Sequence, residues 1–495
     1  MDLISRRSLL VLAGAGAAGA AINWLLPGSA QSALGAGPAL PIPALIEARD
    51  GQPVTLALQT GRHSFGVGPE VATTGISSGY LGPVVRVRSG DTIPFRVENR
   101  LAEESTLHWH GMLIPSSVDG GPHNSIRAGG VWQPALAVRQ PAATLWFHPH
   151  PHGRTGRQVY SGMAGMMIVT DGADRDLGLP NTYGVDDLPL VLQDKRFARD
   201  GQLVYAADMM TLMDGMRGDT LLVNGVAGPT ARVPAGFVRL RVLNAANARN
   251  FDLRFSDGRP FYVIGGDAGL LPAPVELTGL VMAPAERYEI LVDFTNRKPV
   301  DLLTGADQHS GGMMGMMGGG SAAGPLLRFQ PDAALPVAVA RLPRVLVASA
   351  APDAKSAVTR RKFTLDPVMG PGMMGGRPVS SESGLPQVLS INGRPFGMDR
   401  VDATAKLGTS EIWEIVASDM AHPFHMHGVS FRILTKDGAA PPAQEAGWKD
   451  VVLVQKRAEL LVNFTQPAAS HQPFMFHCHI LEHEDQGMMG QFAVV

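Results

Sequence analysis

At 495 residues the chain is longer than one hydrophobic core supports, so about two to four domains are expected. A formal charge of −2, a sequence pI near 6.7 and the lack of a long basic run speak against nucleic acid as a partner. Glycine (58) and proline (38) are abundant and aromatics sparse, which suits many short strands joined by turns, and a single cysteine rules out an intramolecular disulfide.

The chain opens on Ser5-Arg6-Arg7-Ser8-Leu9-Leu10, a twin-arginine pattern, followed by an Ala/Gly-rich apolar run from Leu9 to Ile22. That run is short for a membrane span, and Asn23 interrupts it. Residues 1–33 are therefore expected to be a twin-arginine signal peptide, cleaved among the small residues between Gly28 and Ala33. The expectation is a folded protein delivered by the twin-arginine machinery to the bacterial periplasm, with no stable membrane span.

Beyond the signal the sequence resembles itself at a period of about 150 residues. In the first repeat Val84-Val85-Arg86-Val87 leads through Ser89-Gly90-Asp91 to Phe95-Arg96-Val97-Glu98-Asn99, then to His108-Trp109-His110-Gly111. The second runs from Arg232-Val233-Pro234 to Leu240-Arg241-Val242-Leu243-Asn244, then to Asn250-Phe251-Asp252. The third runs from Lys406-Leu407-Gly408 to Ile412-Trp413-Glu414-Ile415-Val416, then to His422-Pro423-Phe424-His425-Met426-His427. Alternating apolar residues predict half-buried strands. The repeat ends correspond too: Phe147-His148-Pro149-His150 matches Phe476-His477-Cys478-His479, while the second repeat closes on Arg287-Tyr288-Glu289-Ile290-Leu291-Val292 without a histidine pair. Three all-β domains are expected, over 45–172, 173–335 and 340–495, the outer two sharing a binding site and the middle one serving as spacer.

Ten of the fifteen histidines fall in four short windows, 108–110, 148–150, 422–427 and 477–483, where even placement would put fewer than one. Each window holds a His-x-His pair, which a strand aims at one face. In His477-Cys478-His479 the two imidazoles share a face and the sulfur takes the other, so the cysteine belongs to one site and its neighbours to a second. A turn through Ile480 to Glu484 brings His483 back toward Cys478. With His422 and a weak axial Met488, this is the donor set of a blue-copper centre. Eight imidazoles remain for the second site, too many for one closed structural zinc.

These four motifs resemble those of the multicopper oxidases, and the resemblance covers residues 45–495. It implies three cupredoxin-like Greek-key β-sandwich domains and four copper ions. Carried over by motif, His422, Cys478, His483 and Met488 hold the type 1 copper, and His108 and His425 the type 2 copper. The type 3 pair divides as His110, His148 and His479 on one ion and His150, His427 and His477 on the other. Cys478 would be the electron entry, and Asp119 and Glu484 would deliver protons for dioxygen reduction.

The stretches 148–169 and 483–489 look most like the bacterial copper-efflux, or cuprous, oxidases. Met313, Met314, Met316 and Met317 in a Gly/Met-rich loop near 311–320, and Met369, Met373 and Met374 in another, offer soft thioethers suited to Cu(I), with Asp419 and Asp485 as companion acids. Met209, Met213 and Met216 have helical spacing and read as core packing. The expected function is oxidation of Cu(I), and of phenols, coupled to four-electron reduction of dioxygen. The alternatives are a laccase acting mainly on phenols, or a copper-binding relative without turnover, since some family members serve as scaffold proteins.

Overall fold

The structure, a computed structural model, describes residues 37–206, 208–307, 323–337, 342–348, 352–367 and 388–495. The expected signal peptide and Met313, Met314, Met316, Met317, Met369, Met373 and Met374 lie outside the described residues.

The chain folds into six β-sheets arranged as three successive two-sheet sandwiches, with a few short helices. The all-β expectation is met. All three sandwiches repeat one pairing scheme. The short strands that open the repeats, Val84–Arg88, Thr230–Pro234 and Ala403–Ala405, each run parallel to the last strand of the same sandwich, Gly165–Thr170, Gly324–Asp332 and Met489–Val494. The long strands that follow, Thr92–Asn99, Phe237–Asn244 and Ser410–Ala417, each run parallel to Val54–His63, Asp187–Lys195 and Ala357–Pro367. Parallel neighbours require crossovers between the two sheets, which is how a Greek key closes a sandwich.

Side-chain patterning follows position. Thr92–Asn99 alternates strictly between buried and half-buried residues, the signature of a sheet with one wet face. Its counterpart Phe237–Asn244 is buried almost throughout. The reason is the first sandwich, which lies against its outer face. Arg241 Nη1 donates to Thr144 Oγ1 at 3.0 Å and to Glu289 Oε1 at 2.9 Å, and Thr144 donates to the same glutamate. These buried charges are all paired, as burial requires. Each sandwich has its own core, and a further apolar cluster including Phe65, Tyr80, Trp146, Leu222, Leu243 and Val451 joins all three.

Met213 packs against the core of the third sandwich and Met216 is fully buried, in keeping with the core reading; the side chain of Met209 lies outside the description. Among the described residues no helix is long and apolar enough to cross a membrane.

Candidate metal centres

Backbone pairing within each outer sandwich first brings its histidine windows together. His108 and His148 form an antiparallel bridge in the first, with N–H···O distances of 2.8 and 3.1 Å. In the third, strand His422–Met426 pairs with Phe474–Cys478 so that His425 faces His477 and Phe424 faces Cys478. Docking of the two sandwiches then stacks the pairs face to face. His108 lies on His427 with ring centroids 3.8 Å apart, and His110 on His425 at 3.7 Å. His148 and His479 close the set at 5.4 Å, and His150 and His477 at 4.9 Å. All eight imidazoles are buried.

The acids around them fix which nitrogen carries the proton. His427 Nδ1 lies 2.8 Å from Asp119 Oδ2, and His477 Nδ1 lies 3.0 Å from the carbonyl of Cys478 and 3.3 Å from Glu484 Oε2. His150 Nδ1 lies 3.3 Å from Glu484 Oε1. Carboxylates and carbonyls only accept, so Nδ1 of His427 and His477 donates and their Nε2 atoms present lone pairs, whereas His150 Nδ1 is buried without a hydrogen-bond partner. Yet the Nε2 atoms of His427 and His150 lie 3.1 and 3.2 Å from that of His477. The lone pairs of His427 and His477, aimed at each other, repel unless a cation sits between them. Likewise, Nε2 of His108, His148 and His425 and both nitrogens of His479 are buried without a hydrogen-bond partner. Burial, reinforced by neighbouring imidazoles, holds His110, His148, His150, His425, His427 and His479 well below the usual histidine range, and burial brings His477 down to about 3. Neutral imidazoles are what a metal needs.

The cysteine set is built within the third sandwich. The strand ends at Cys478, and the short helix Leu481–Asp485 turns the chain so that His483 Nδ1 comes to 3.6 Å from Cys478 Sγ. His422 Nδ1 lies 3.4 Å from the sulfur and 3.3 Å from His483 Nδ1. The far nitrogens are spoken for: His483 Nε2 faces the carbonyl of Met213 at 2.8 Å and His422 Nε2 faces Asp419 Oδ1 at 3.2 Å. Both Nδ1 lone pairs therefore point at the sulfur. Burial pushes the thiol well above its ordinary value, so a bound cation is needed to keep it a thiolate. Met488 is fully buried in the same core cluster, its N–H bonded to the His483 carbonyl at 2.9 Å. One peptide link thus separates sulfur on one side of the strand from imidazoles on the other.

The acids singled out in the sequence occupy different places. Asp119 reaches His427 and also lies 3.3 Å from His108 Nδ1; its loop fits because Gly120 (φ +85°) stands where a Cβ would collide with the Leu107 carbonyl. Glu484 bridges His150 and His477. Asp419 stands beside His422, but Asp485 is turned away to cap the first sandwich, accepting from Thr155 N and Gly156 N at 2.9 Å each. Both its oxygens are taken up by backbone, which removes it from a shared cation-holding site with Asp419.

Sequence reasoning missed three residues. Asp450 accepts from His110 Nε2 at 3.1 Å through Oδ1, and its carbonyl faces His425 Nδ1 at 2.8 Å. Arg287, from the sandwich without histidines, donates to both oxygens of Asp450 at 2.6 Å. Glu482, fully buried, takes Met216 N at 2.9 Å, Asn247 Nδ2 at 2.7 Å and Tyr205 Oη at 3.0 Å. Arg287 and Asp450 lie outside every histidine motif, so no local signal marks them. The middle sandwich is accordingly more than a spacer: it supplies Arg287, Asn247 and the Met213 carbonyl to the two sets.

Two family signatures, each described as multicopper oxidase, match residues 57–174 and 371–495. The cell division protein FtsP of Xenorhabdus nematophila is 40% identical over 461 residues, covering 92% of this chain and 92% of that one. FtsP of Escherichia coli K12 is 39% identical, with 94% of each chain covered. Among solved structures, the laccase-like multi-copper oxidase CueO from Ochrobactrum sp., described as having oxidase activity towards lignin model compounds and lignosulfonate, is 50% identical, with a TM-score of 0.86 over 92% of this chain and 100% of that one. The McoA multicopper oxidase of Aquifex aeolicus is 31% identical, with a TM-score of 0.79 over 93% of this chain and 99% of that one.

The expectation of an oxidase acting on Cu(I) or phenols is corrected by the curated relatives. Proteins matching this chain along nearly its whole length are named for cell division, and a shared fold does not carry turnover with it. Dioxygen, Cu(I) and phenols as reactants, and proton delivery by Asp119 and Glu484, belonged to that expectation. What the sandwiches, the signatures and the match to solved structures do establish is common descent and a copper-binding fold: the chain belongs to the multicopper oxidase family.

Proposed function

We propose that the chain serves bacterial cell division as a copper-binding platform, in which the metal fixes the arrangement of the three sandwiches for protein partners of the division machinery. The observation that carries this reading is the 40% identity to a cell division protein over 92% of both chains. Export to the periplasm by the twin-arginine route is supported by Ser5-Arg6-Arg7-Ser8-Leu9-Leu10.

Four ions would be held. His422, Cys478 and His483, with Met488 on the axial side, would take one; His108 and His425 a second; His110, His148 and His479 a third; His150, His427 and His477 a fourth. The first and fourth sets are supported by donor atoms that converge within metal reach, and the other two, which rest on the motifs, by the unpartnered nitrogens of His108, His110, His148, His425 and His479. Copper there supplies a soft cation that accepts imidazole and thiolate together. Each of the last three sets draws donors from both outer sandwiches. Binding the ion therefore joins those sandwiches, and its binding free energy adds to the stability of the docked arrangement. Ligand held at a hundred times its dissociation constant contributes about 2.7 kcal/mol. Asp119 Oδ2 and the Cys478 carbonyl accept from Nδ1 of His427 and His477, so that their Nε2 atoms are free to bind.

The test pairs a cell with an oxygen electrode. Cells lacking the chain are expected to divide poorly and lengthen, and the wild-type copy to restore them. Copper-loaded protein is expected to show no sustained oxygen uptake with Cu(I) or a phenol. Sustained uptake together with normal division in the deletion strain would overturn the proposal.

A further inference from the structure

We infer that Arg287, which comes from the one sandwich without metal-binding histidines, is the positioning residue that sets the ligand geometry of the eight-histidine centre. The inference rests on the proposed metal reading and concerns a residue that no motif marks.

Asp450 is the pivot. Its carboxylate is buried and lies within metal-ligand reach of His110 and His425, so its oxygens and the two imidazoles form a ready-made cation site. A free carboxylate there would compete for the ion. It is not free. Arg287 Nη1 donates to Asp450 Oδ1 and Nη2 to Oδ2, each at 2.6 Å, the two-pronged pairing a guanidinium makes with a carboxylate. Pinned this way, Asp450 Oδ1 accepts from His110 Nε2 at 3.1 Å, and His110 Nδ1, unpartnered and buried, is left as the metal-facing atom. The Asp450 carbonyl orients His425 through its Nδ1, freeing Nε2. Arg287 thus decides which nitrogen His110 offers and keeps Asp450 from the ligand set.

The arginine is held as firmly as it holds. Its Nε donates to the Thr144 carbonyl of the first sandwich at 3.1 Å, and Nη2 donates to the Asp267 carbonyl at 2.8 Å. Asp267 also pairs with Lys449, next to Asp450, at 2.9 Å. Space for the fork exists because position 111, just after His110, is glycine: a Cβ there (φ +89°) would lie 2.7 Å from Arg287 Nη2 and 2.8 Å from Asp450 Oδ2. The glycine of the first motif, the aspartate of the third sandwich and the arginine of the second thus meet at one point.

The experiment loads full-length wild type, Arg287→Met and Arg287→Lys with copper. It reads copper per chain, the thiolate-to-copper absorption of the Cys478 site, and the paramagnetic spectrum of the histidine-bound ions. Arg287→Met is expected to weaken copper at the histidine set roughly ten- to a hundredfold and to alter its paramagnetic spectrum, while the Cys478 absorption stays. Arg287→Lys keeps the charge but loses the fork, and is expected to fold normally with the same spectral change in smaller degree. It provides the reading should Arg287→Met fail to fold. A folded lysine variant with wild-type copper affinity and spectrum would overturn the inference while leaving the metal reading in place. Wild type that takes up copper only at Cys478 would overturn both.

Discussion

The two ligand sets differ in how they are made. His422, Cys478 and His483 all come from one sandwich, within two paired segments and a single helical turn, and the middle sandwich only props them through the Met213 carbonyl at His483 Nε2. The eight-imidazole set exists only where two sandwiches stack, His108 on His427 and His110 on His425, with the third sandwich's Asp450 held by the second's Arg287. A local site of this kind reports on one fold unit, and a shared site reports on the assembly of all three. Under the proposed reading, copper held at the histidine set would report on domain docking, the property a platform for protein partners would use.

The sharpest way to separate the sets is Cys478→Ser. The thiolate-to-copper absorption should vanish completely, because Cys478 is the chain's single cysteine and a thioether cannot supply a thiolate, while copper at the histidine set and the melting temperature stay close to wild type. Retained colour would show that the cysteine set is wrongly drawn.

Next in size is Glu482→Leu. The change strands three donors, Met216 N, Asn247 Nδ2 and Tyr205 Oη, two of them deep in the seam between sandwiches. An unfolding free energy lower by about 3 kcal/mol is expected, measured by chemical denaturation, together with a broadened Cys478 absorption because His483 is the next residue. Unchanged stability would mean that the cysteine set stands without help from the middle sandwich.

The smallest and most graded effect is on pH. The imidazoles that burial holds below the usual range stay neutral in the fold, whereas in the unfolded chain they take up protons below about pH 6.5. Their contribution to stability is full above that value and is lost as pH falls, reaching its end near pH 3 for His477 and His483. Most of these groups belong to the histidine set. The metal-free protein should therefore lose melting temperature steadily below pH 6.5, and copper loading should raise the curve without flattening that slope, because bound imidazoles are as neutral as the buried free ones, as seen by scanning calorimetry. Asp485, raised by burial to about 8, acts in the opposite sense: its contribution is full below the unfolded carboxylate value and is lost as pH rises through 8. A flat acid limb in the metal-free protein would mean that the imidazoles are not buried neutral.

Much of this was legible in the chain itself. The period of about 150 residues and the alternation in 84–99 and its counterparts predicted three all-β domains, the resemblance to multicopper oxidases implied that they are sandwiches, and the side-to-side alternation of a strand was enough to send Cys478 one way and His477 and His479 the other. Such features are local, since they depend on a backbone geometry that a few neighbouring residues specify. Tertiary structure decided what depends on distant segments meeting. Asp485 lies beside Asp419 in motif logic yet caps Thr155 and Gly156 in space. Arg287 and Asp450, 163 positions apart, become one ion pair beneath His110. No spacing rule links two charges across three folded units, because only docking of those units removes the water that would otherwise separate them.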